Sequence, residues 1–157
     1  MNSDTAAYIA GFMDGEGTFT IARRRAVSGP SHWLYQPNIS VAQTDQGIVD
    51  WLAENIGVPS MRTWRRKSGN ARDALQLMIT GCGHIIDFST QLLPYLRLKQ
   101  KHALILVEFC RSRLESNKKA VPLRGFTEHQ VGLYSELRLL NHRGRAPFDF
   151  AELVKQA

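Results

Sequence analysis

The stretch of sequence that decides the fold covers residues 7–17 and reads AYIAGFMDGEG. Small residues recur at Ala7, Gly11 and Gly15, a spacing of four that places them on one face of a helix. That face carries almost no side chain, so a second helix can approach it backbone to backbone. The stretch occurs once, and we therefore expect the second helix from a second copy related by a two-fold axis. The alternative is that the small residues pack on the chain's own sheet.

Two acidic residues, Asp14 and Glu16, stand where this helix ends among Gly15 and Gly17. The C-terminal end of a helix is the negative end of its dipole, so carboxylates are electrostatically disfavoured there. A bound divalent cation would relieve this repulsion, because carboxylate and carbonyl oxygens are the ligands that Mg²⁺ prefers. The alternative is an ordinary acidic loop at the surface.

Outward from this helix, the hydrophobic pattern predicts one α+β domain with a single antiparallel sheet of four strands. Alternating apolar and polar residues predict strands at 18–26, 33–43, 61–66 and 72–80. Helical spacing predicts helices at 3–15, 45–55, 83–94, 100–115, 127–140 and 148–155, with Ser3 or Asp4 capping the first and Thr127 the fifth. We expect a single domain over 1–157, with a core at about 3–115 and a C-terminal helical tail at about 127–157.

The charges indicate a polyanionic partner. Lys and Arg number 20 against 14 acids, which gives the 157 residues a net charge of +6. Residues 18–44 and 60–72 contain no acid, and both windows coincide with predicted strands that carry aromatic and amide side chains. Such strands suit a groove of DNA or RNA, whereas the alternative is a solvated face. No apolar run is long enough to cross a bilayer, and Cys82 and Cys110, too few for a disulfide framework or zinc site, are expected buried and reduced.

The segment 9–17, IAGFMDGEG, resembles the LAGLIDADG signature of homing endonucleases. Four positions match letter for letter, and they are Ala10, Gly11, Asp14 and Gly17. A second segment at 92–101, LLPYLRLKQK, looks like the late lysine segment of that family. The resemblance covers about residues 6–101 and implies an αββαββα core with the signature helix first and a saddle-shaped sheet, followed here by additional C-terminal helices.

The resemblance also implies site residues. Glu16 corresponds to the metal-binding acid, one per chain, and the carbonyl of Gly15 would join it. Lys99 corresponds to the lysine near the scissile phosphate, and Gln43 to a polar residue that positions water. Gly47 stands near the place where the family often has a basic residue. The expected dimer contacts are Ala7, Gly11, Asp14 and Gly15.

Recognition of a DNA sequence is expected from the strands, because alternate residues of a sheet in the major groove face the bases. Arginine pairs best with guanine, and glutamine or asparagine with adenine. The candidates are Arg24, Gln36, Asn38, Ser40, Arg62, Trp64, Arg66, Arg72 and Gln76. Other basic residues are expected to contact phosphates, namely Arg23, Arg25, Arg65 and Lys67.

Taken with the resemblance, these features predict an intron-encoded, homodimeric endonuclease that uses Mg²⁺ or Mn²⁺. It would cut both strands of a long, nearly palindromic double-stranded DNA site and leave short 3′ overhangs, with no membrane or small-molecule partner. The alternatives are a non-cleaving protein of the same fold, such as an intron RNA maturase, and an unrelated basic RNA-binding domain. A reducing compartment, either a bacterial cytoplasm or an organelle, is expected rather than secretion.

Overall fold

The computed structural model describes residues 1–26, 33–65, 72–117 and 125–142. Their helices and strands follow in the order α1 (Ser3–Glu16), β1 (Thr18–Arg25), β2 (Trp33–Gln43), α2 (Gln46–Asn55), β3 (Met61–Arg65), β4 (Ala74–Thr80), α3 (Cys82–Leu92), α4 (Gln100–Asn117) and α5 (Glu128–Asn141). The strands form one antiparallel sheet in the order β1-β2-β4-β3. The predicted fold class is therefore confirmed.

One face of this sheet is buried under the helices, as the alternating pattern predicts. Phe19 pairs with Ile39 and Val41 pairs with Leu77, and each of these side chains is at most 4% exposed. Burial of a side chain of this size contributes about 1.5–3 kcal/mol. The buried face thus forms half of the hydrophobic core, and none of the helices that the structure describes covers the opposite face of the sheet.

The helices supply the other half of the core. Ile9 of α1, Phe88 of α3 and Leu106 of α4 are fully buried against the sheet or against each other. Helix α5 packs on α4 and on β1, where the side-chain amide of Asn141 donates to the carbonyl of Phe19 at 2.9 Å. The helix layer therefore extends to residue 141 and is continuous with the core.

The cap of the first helix differs from the prediction, and that of the fifth agrees with it. Asn2, rather than Ser3 or Asp4, caps α1, because its backbone is extended and its side-chain oxygen accepts the N–H of Thr5 at 2.8 Å. Thr127 caps α5 as predicted. Thr127 and Gln130 form a capping box. The backbone N–H of Gln130 donates to the hydroxyl of Thr127, and the backbone N–H of Thr127 donates to the side-chain oxygen of Gln130.

The bounds of several elements also shift by one or two residues. Strand β4 begins at Ala74 rather than at 72, and α4 continues to Asn117. Helix α3 begins at Cys82, directly after Gly81, whose φ of 85° is one that residues with a side chain rarely adopt. It ends at Leu92, two residues before Pro94. The predicted last helix at 148–155 lies outside the described residues.

The expectation that both cysteines are buried holds for Cys110 and not for Cys82. Cys82 and Cys110 are free thiols, the first half-buried and the second fully buried. None of the described helices is long and apolar enough to span a membrane.

The carboxylate of Asp14 ties the end of α1 to the segment that precedes α4. Its Oδ2 accepts the backbone N–H of Arg97 at 2.7 Å, and its Oδ1 accepts that of Lys99 at 2.9 Å. Partial burial raises the pKa of Asp14, but the N–H groups of Arg97, Lys99 and Leu98 and the charge of Lys99 lower it by more, so the net pKa lies below the ordinary value. The N-terminus of α4 favours a negative charge at this place.

Replacement of Asp14 by Asn is expected to lower the free energy of unfolding by about 1–2 kcal/mol, because the amide has one acceptor oxygen for two N–H donors. The folded pKa lies below the unfolded one, so this contribution is present at neutral pH and is lost as pH falls through the folded pKa. The stability difference between wild type and Asp14→Asn should therefore be constant near pH 7 and shrink below about pH 4. Urea unfolding at a series of pH values measures this difference.

The matched control is Asp87→Asn, since Asp87 is exposed on α3. We expect this variant to unfold like the wild type throughout the pH range. A difference for Asp14→Asn that persists unchanged in acid would contradict the role of its carboxylate.

Candidate functional site

The site predicted from the sequence lies at the C-terminal end of α1. Glu16 is the last residue of this helix and is exposed, and the described part of the chain offers its carboxylate no hydrogen bond or ion pair. Gly15 beside it is also exposed. A carboxylate and a main-chain carbonyl therefore stand next to each other at the surface.

Lys99 reaches this end of the helix from 83 residues after Glu16 in the sequence. Its Nζ donates to the carbonyls of Gly17 at 2.6 Å, Met13 at 2.9 Å and Gly15 at 3.4 Å. These are carbonyls at the negative end of the helix dipole, so the ammonium compensates charge there. The structure thus brings Lys99 and Gly15 together, as predicted.

This contact changes the argument from helix electrostatics. From the sequence we expected a divalent cation to relieve the negative charge at the helix end, yet the ammonium of Lys99 already supplies a positive charge there. Gly17 allows the close turn, because a Cβ atom there would lie 2.7 Å from the carbonyl oxygen of Met13. The local fold is therefore complete without an ion.

The donor atoms fit a shared metal site rather than a closed one. Among the described residues, no group of three or more His, Cys, Asp or Glu side chains is arranged to hold a metal. One chain offers the carboxylate of Glu16 and the carbonyl of Gly15, whereas Mg²⁺ takes six oxygens in octahedral geometry. The remaining oxygens would have to come from water, from a phosphate or from a second chain.

Gln43 lies at the same end of the sheet as this site. It is the last residue of β2, three residues beyond Ser40, which pairs with Thr18 at the start of β1. Its side chain is half-buried, and its register partner is Leu75. Gln43 is thus placed near the beginning of β1, and its role with water stays a prediction.

The ridge of small residues on α1 faces away from the core. Ala7, Gly11 and Gly15 are exposed, and a Cβ atom built on either glycine would meet no atom within 4 Å. The opposite side of the helix is buried, through Ala6, Ile9, Ala10 and Met13. The alternative that these small residues pack on the chain's own sheet is therefore wrong. The carboxylate of Asp14 is committed within the chain, and its contact with a second helix stays a prediction.

The face of the sheet that no described helix covers, here called the outer face, carries most of the residues predicted to contact bases. Ser40 and Gln76 lie there because their strand neighbours Val41, Leu75 and Leu77 are buried in the core. By the same alternation and register, the outer face holds Arg24, Gln36, Asn38, Ser40 and Gln76. Arg72 is exposed two residues before β4, and Arg66 and Lys67 lie outside the described residues.

Two predicted base contacts lie on the opposite face. Arg62 pairs with Leu77 and Trp64 with Leu75, so both point to the helix side of the sheet. Arg62 Nη1 donates to Asp50 of α2 at 2.5 Å. The prediction that these two side chains lie on the base-contacting face was therefore wrong. The pairing register of β3 with β4 decides which face each side chain occupies, and a register shift of one residue would move all of them to the other face.

The same register brings to the outer face three residues of β3 that were not among the predicted base contacts, although Arg65 was expected to contact phosphates. Met61 pairs with Met78, Thr63 with Gln76 and Arg65 with Ala74, all on the outer face. Strict alternation from the buried Leu77 would have indicated this set, had the pairing of β3 with β4 been known.

Arg23 also differs from the expectation of a phosphate contact. It lies on the helix side of β1, where its guanidinium stacks 4.2 Å above the ring of Trp33 and 5.8 Å from that of Tyr134. Such cation–π contacts favour packing between the sheet and α5. Arg23 is therefore engaged within the chain.

Solved structures with the same fold include homing endonucleases bound to DNA. I-CvuI in complex with the I-CreI target, with Mg and the DNA not cleaved, is 20% identical with a TM-score of 0.72 and covers 98% of this chain and 94% of its own. The archaeal intron-encoded I-Vdi141I with DNA is 17% identical with a TM-score of 0.73, over 97% of this chain and 93% of its own. I-SmaMI, bound to an uncleaved target with calcium ions, is 19% identical with a TM-score of 0.64, and this chain matches 48% of that one.

These TM-scores establish a common fold. No curated protein sequence matches the chain significantly. The family model described as LAGLIDADG endonuclease matches residues 9–112, more than half of the chain, and this stretch includes the signature segment 9–17, the four strands and Lys99. The chain therefore belongs to the LAGLIDADG endonuclease family and carries the signature helix once.

Proposed function

We propose that the protein is a homodimeric, site-specific DNA endonuclease that requires a divalent metal ion. The observation that carries this proposal is the exposed ridge of α1. It ends in the carboxylate of Glu16, which has no partner among the described residues, beside the carbonyl of Gly15. Pairing of two such ridges would bring two carboxylate sites together at a two-fold axis. Each site would serve one strand of a nearly palindromic duplex.

The surface around the ridge supports this pairing. Leu98 is 63% exposed and lies in the segment that Asp14 holds against the end of α1. An exposed leucine beside a ridge without side chains is an apolar surface suited to a second copy. The match to 48% of I-SmaMI leaves room in that chain for a second unit of this size. We infer that two copies of this chain correspond to two units within the single chain of I-SmaMI.

The charge of the protein supports DNA as its partner. Two chains of +6 give a dimer of +12. The outer faces of the two sheets would form one surface, on which Arg24, Gln36 and Asn38 of each chain meet base edges in the major groove. Affinity for DNA should fall steeply with salt, since contacts to phosphates release counterions.

The chemistry follows from the residues at the end of α1. Glu16 and the carbonyl of Gly15 would hold the ion, which when bound polarises a phosphate oxygen and lowers the pKa of a bound water. Lys99 holds the carbonyls of Met13, Gly15 and Gly17. Its positive charge would stabilise the charge that develops on the scissile phosphate. The amide of Gln43 would orient water from the neighbouring end of β2.

A non-cleaving protein of the same fold, such as an intron RNA maturase, is the second candidate. Lys99 is compatible with this candidate too, because its contacts with the end of α1 support the fold whether or not the protein cuts DNA. Lys99 therefore does not distinguish the two functions. Glu16 does, since its carboxylate has no partner in the described part of the chain.

Replacement of Glu16 by Gln is expected to lower cleavage at least 100-fold and leave DNA binding intact, because the amide removes the charge that would hold the ion. The assay incubates a randomised double-stranded DNA library with the protein and Mg²⁺ and recovers cut sites by sequencing. Glu54→Gln is the matched control, since Glu54 is an exposed acid on α2. It should cut like the wild type.

Two results would contradict the proposal. One is equal cutting by wild type and Glu16→Gln, which would leave a nuclease but rule out Glu16 as its metal-binding acid. The other is no cutting of any library member together with tight binding to a structured intron RNA, which would support the maturase.

Replacement of Gly11 by Leu is expected to convert the dimer to a monomer that stays folded. The new side chain would extend into open space in one chain, but it would separate two paired helices. Sedimentation velocity gives the mass, and circular dichroism checks the fold.

Gly132→Leu is the matched control, because Gly132 is an exposed helical glycine on α5 whose Cβ would also meet no atom within 4 Å. This variant should sediment as the wild type does. If Gly11→Leu stays dimeric, the ridge is not the interface.

A further inference from the structure

Two methionines lie side by side on the outer face of the sheet. Met61 of β3 and Met78 of β4 are register partners, and Met78 also faces Ser40 of β2. Leu77 and Ile79, the strand neighbours of Met78, are buried in the core, which places Met78 and its partner on the other side. Met61 is 54% exposed and Met78 is half-buried.

The chemistry of this pair differs from that of its surroundings. Most other outer-face side chains on the four strands donate or accept hydrogen bonds, namely Thr18, Thr20, Arg24, Gln36, Asn38, Ser40, Thr63, Arg65, Gln76 and Thr80. A thioether has no donor and is a weak acceptor, so Met61 and Met78 contribute almost nothing to contacts with phosphates or with polar base edges. Any contribution of these two methionines to binding a partner must therefore come from apolar contact.

The pair also has a defined place relative to the site at the end of α1. Ser40 pairs with Thr18, so Thr18, Ser40, Met78 and Met61 form one row across the sheet. Thr18 begins β1 two residues after Glu16. Three strand spacings separate the ends of the row, about 14 Å. That distance corresponds to about four base steps of DNA.

The major groove of DNA presents one apolar group, the 5-methyl group of thymine. Methionine suits such a group, because its side chain is flexible and polarisable and adapts to irregular apolar surfaces. RNA carries uracil, which lacks this methyl group. A pair of methionines on a surface that reads base edges is therefore useful against DNA and not against RNA.

We propose that Met61 and Met78 together recognise thymine methyl groups in the inner part of each half-site, a proposal that rests on the DNA-binding function proposed above. The neighbouring polar side chains of the row, Ser40 and Thr18, read hydrogen-bonding edges. The thioether pair then selects thymine over cytosine and over uracil at one or two positions.

The test compares two forms of one DNA site that differ only in methyl groups. The site that the wild type enriches most from a randomised double-stranded DNA library is synthesised with thymine and again with deoxyuridine at each thymine in turn. Binding in Ca²⁺ is measured by fluorescence anisotropy for the wild type, for Met61→Ala/Met78→Ala and for Met61→Leu/Met78→Leu. Leu104→Ala is the control, because Leu104 is 52% exposed on α4, away from the outer face.

We expect the wild type to bind the thymine form about fourfold more tightly for each methyl group that it contacts. The double alanine variant should bind both forms equally, the double leucine variant should keep the preference, and Leu104→Ala should match the wild type. Sensitive positions should lie within about four base steps of the cut.

Two outcomes would overturn the role of the methionines while leaving DNA binding intact. One is equal affinity of the wild type for the thymine and deoxyuridine forms, and the other is an unchanged preference in the double alanine variant. If the wild type enriches no DNA at all, the proposed function fails, and this inference fails with it.

Discussion

The ammonium of Lys99 on the last carbonyls of α1 is the interaction on which the rest of this structure depends. A helix that ends in Asp14 and Glu16 concentrates negative charge at its negative end, and Lys99 compensates it with bonds of 2.6–3.4 Å to three carbonyls. The carboxylate of Asp14 joins the same two segments by accepting hydrogen bonds from the backbone N–H groups of Arg97 and Lys99. Because both ties join α1 to the start of α4, the position of Glu16 is set by a contact across 83 residues of sequence.

The two faces of the sheet serve different purposes, one the stability of the fold and the other contact with a partner. Its helix side is apolar and supplies stability, whereas its outer face, which no described helix covers, carries mostly polar side chains. Since successive residues of a strand point to opposite faces, each strand serves both purposes. Arg23 and Arg62 show the consequence, because these cations fall on the helix side and are bound by Trp33 and Asp50 within the chain. Position on a strand, rather than charge, decides which arginine is available to a partner.

The agreement between sequence and structure depends on the range of the interactions involved. The elements, the buried face of β2 and the exposed ridge on α1 follow from local periodicity, and all of them were predicted. The proximity of Lys99 to Gly15 was predicted only through a family resemblance, since 84 residues separate the two in the chain. The faces of β3 were misassigned because Arg62, Thr63, Trp64 and Arg65 give no clear alternation, and an exposed edge strand takes its register from its partner.

The sequence by itself determined the fold class, the ridge of small residues and the acid that follows it, because each depends on side-chain spacing along one element. Tertiary structure decided which side chains share a surface. The pairing of β3 with β4 placed Met61 beside Met78 and turned Arg62 toward Asp50, and the approach of α4 placed Lys99 on the end of α1. The physical reason is that strand register and helix docking are set by contacts between distant segments, whose geometry is not encoded in local periodicity.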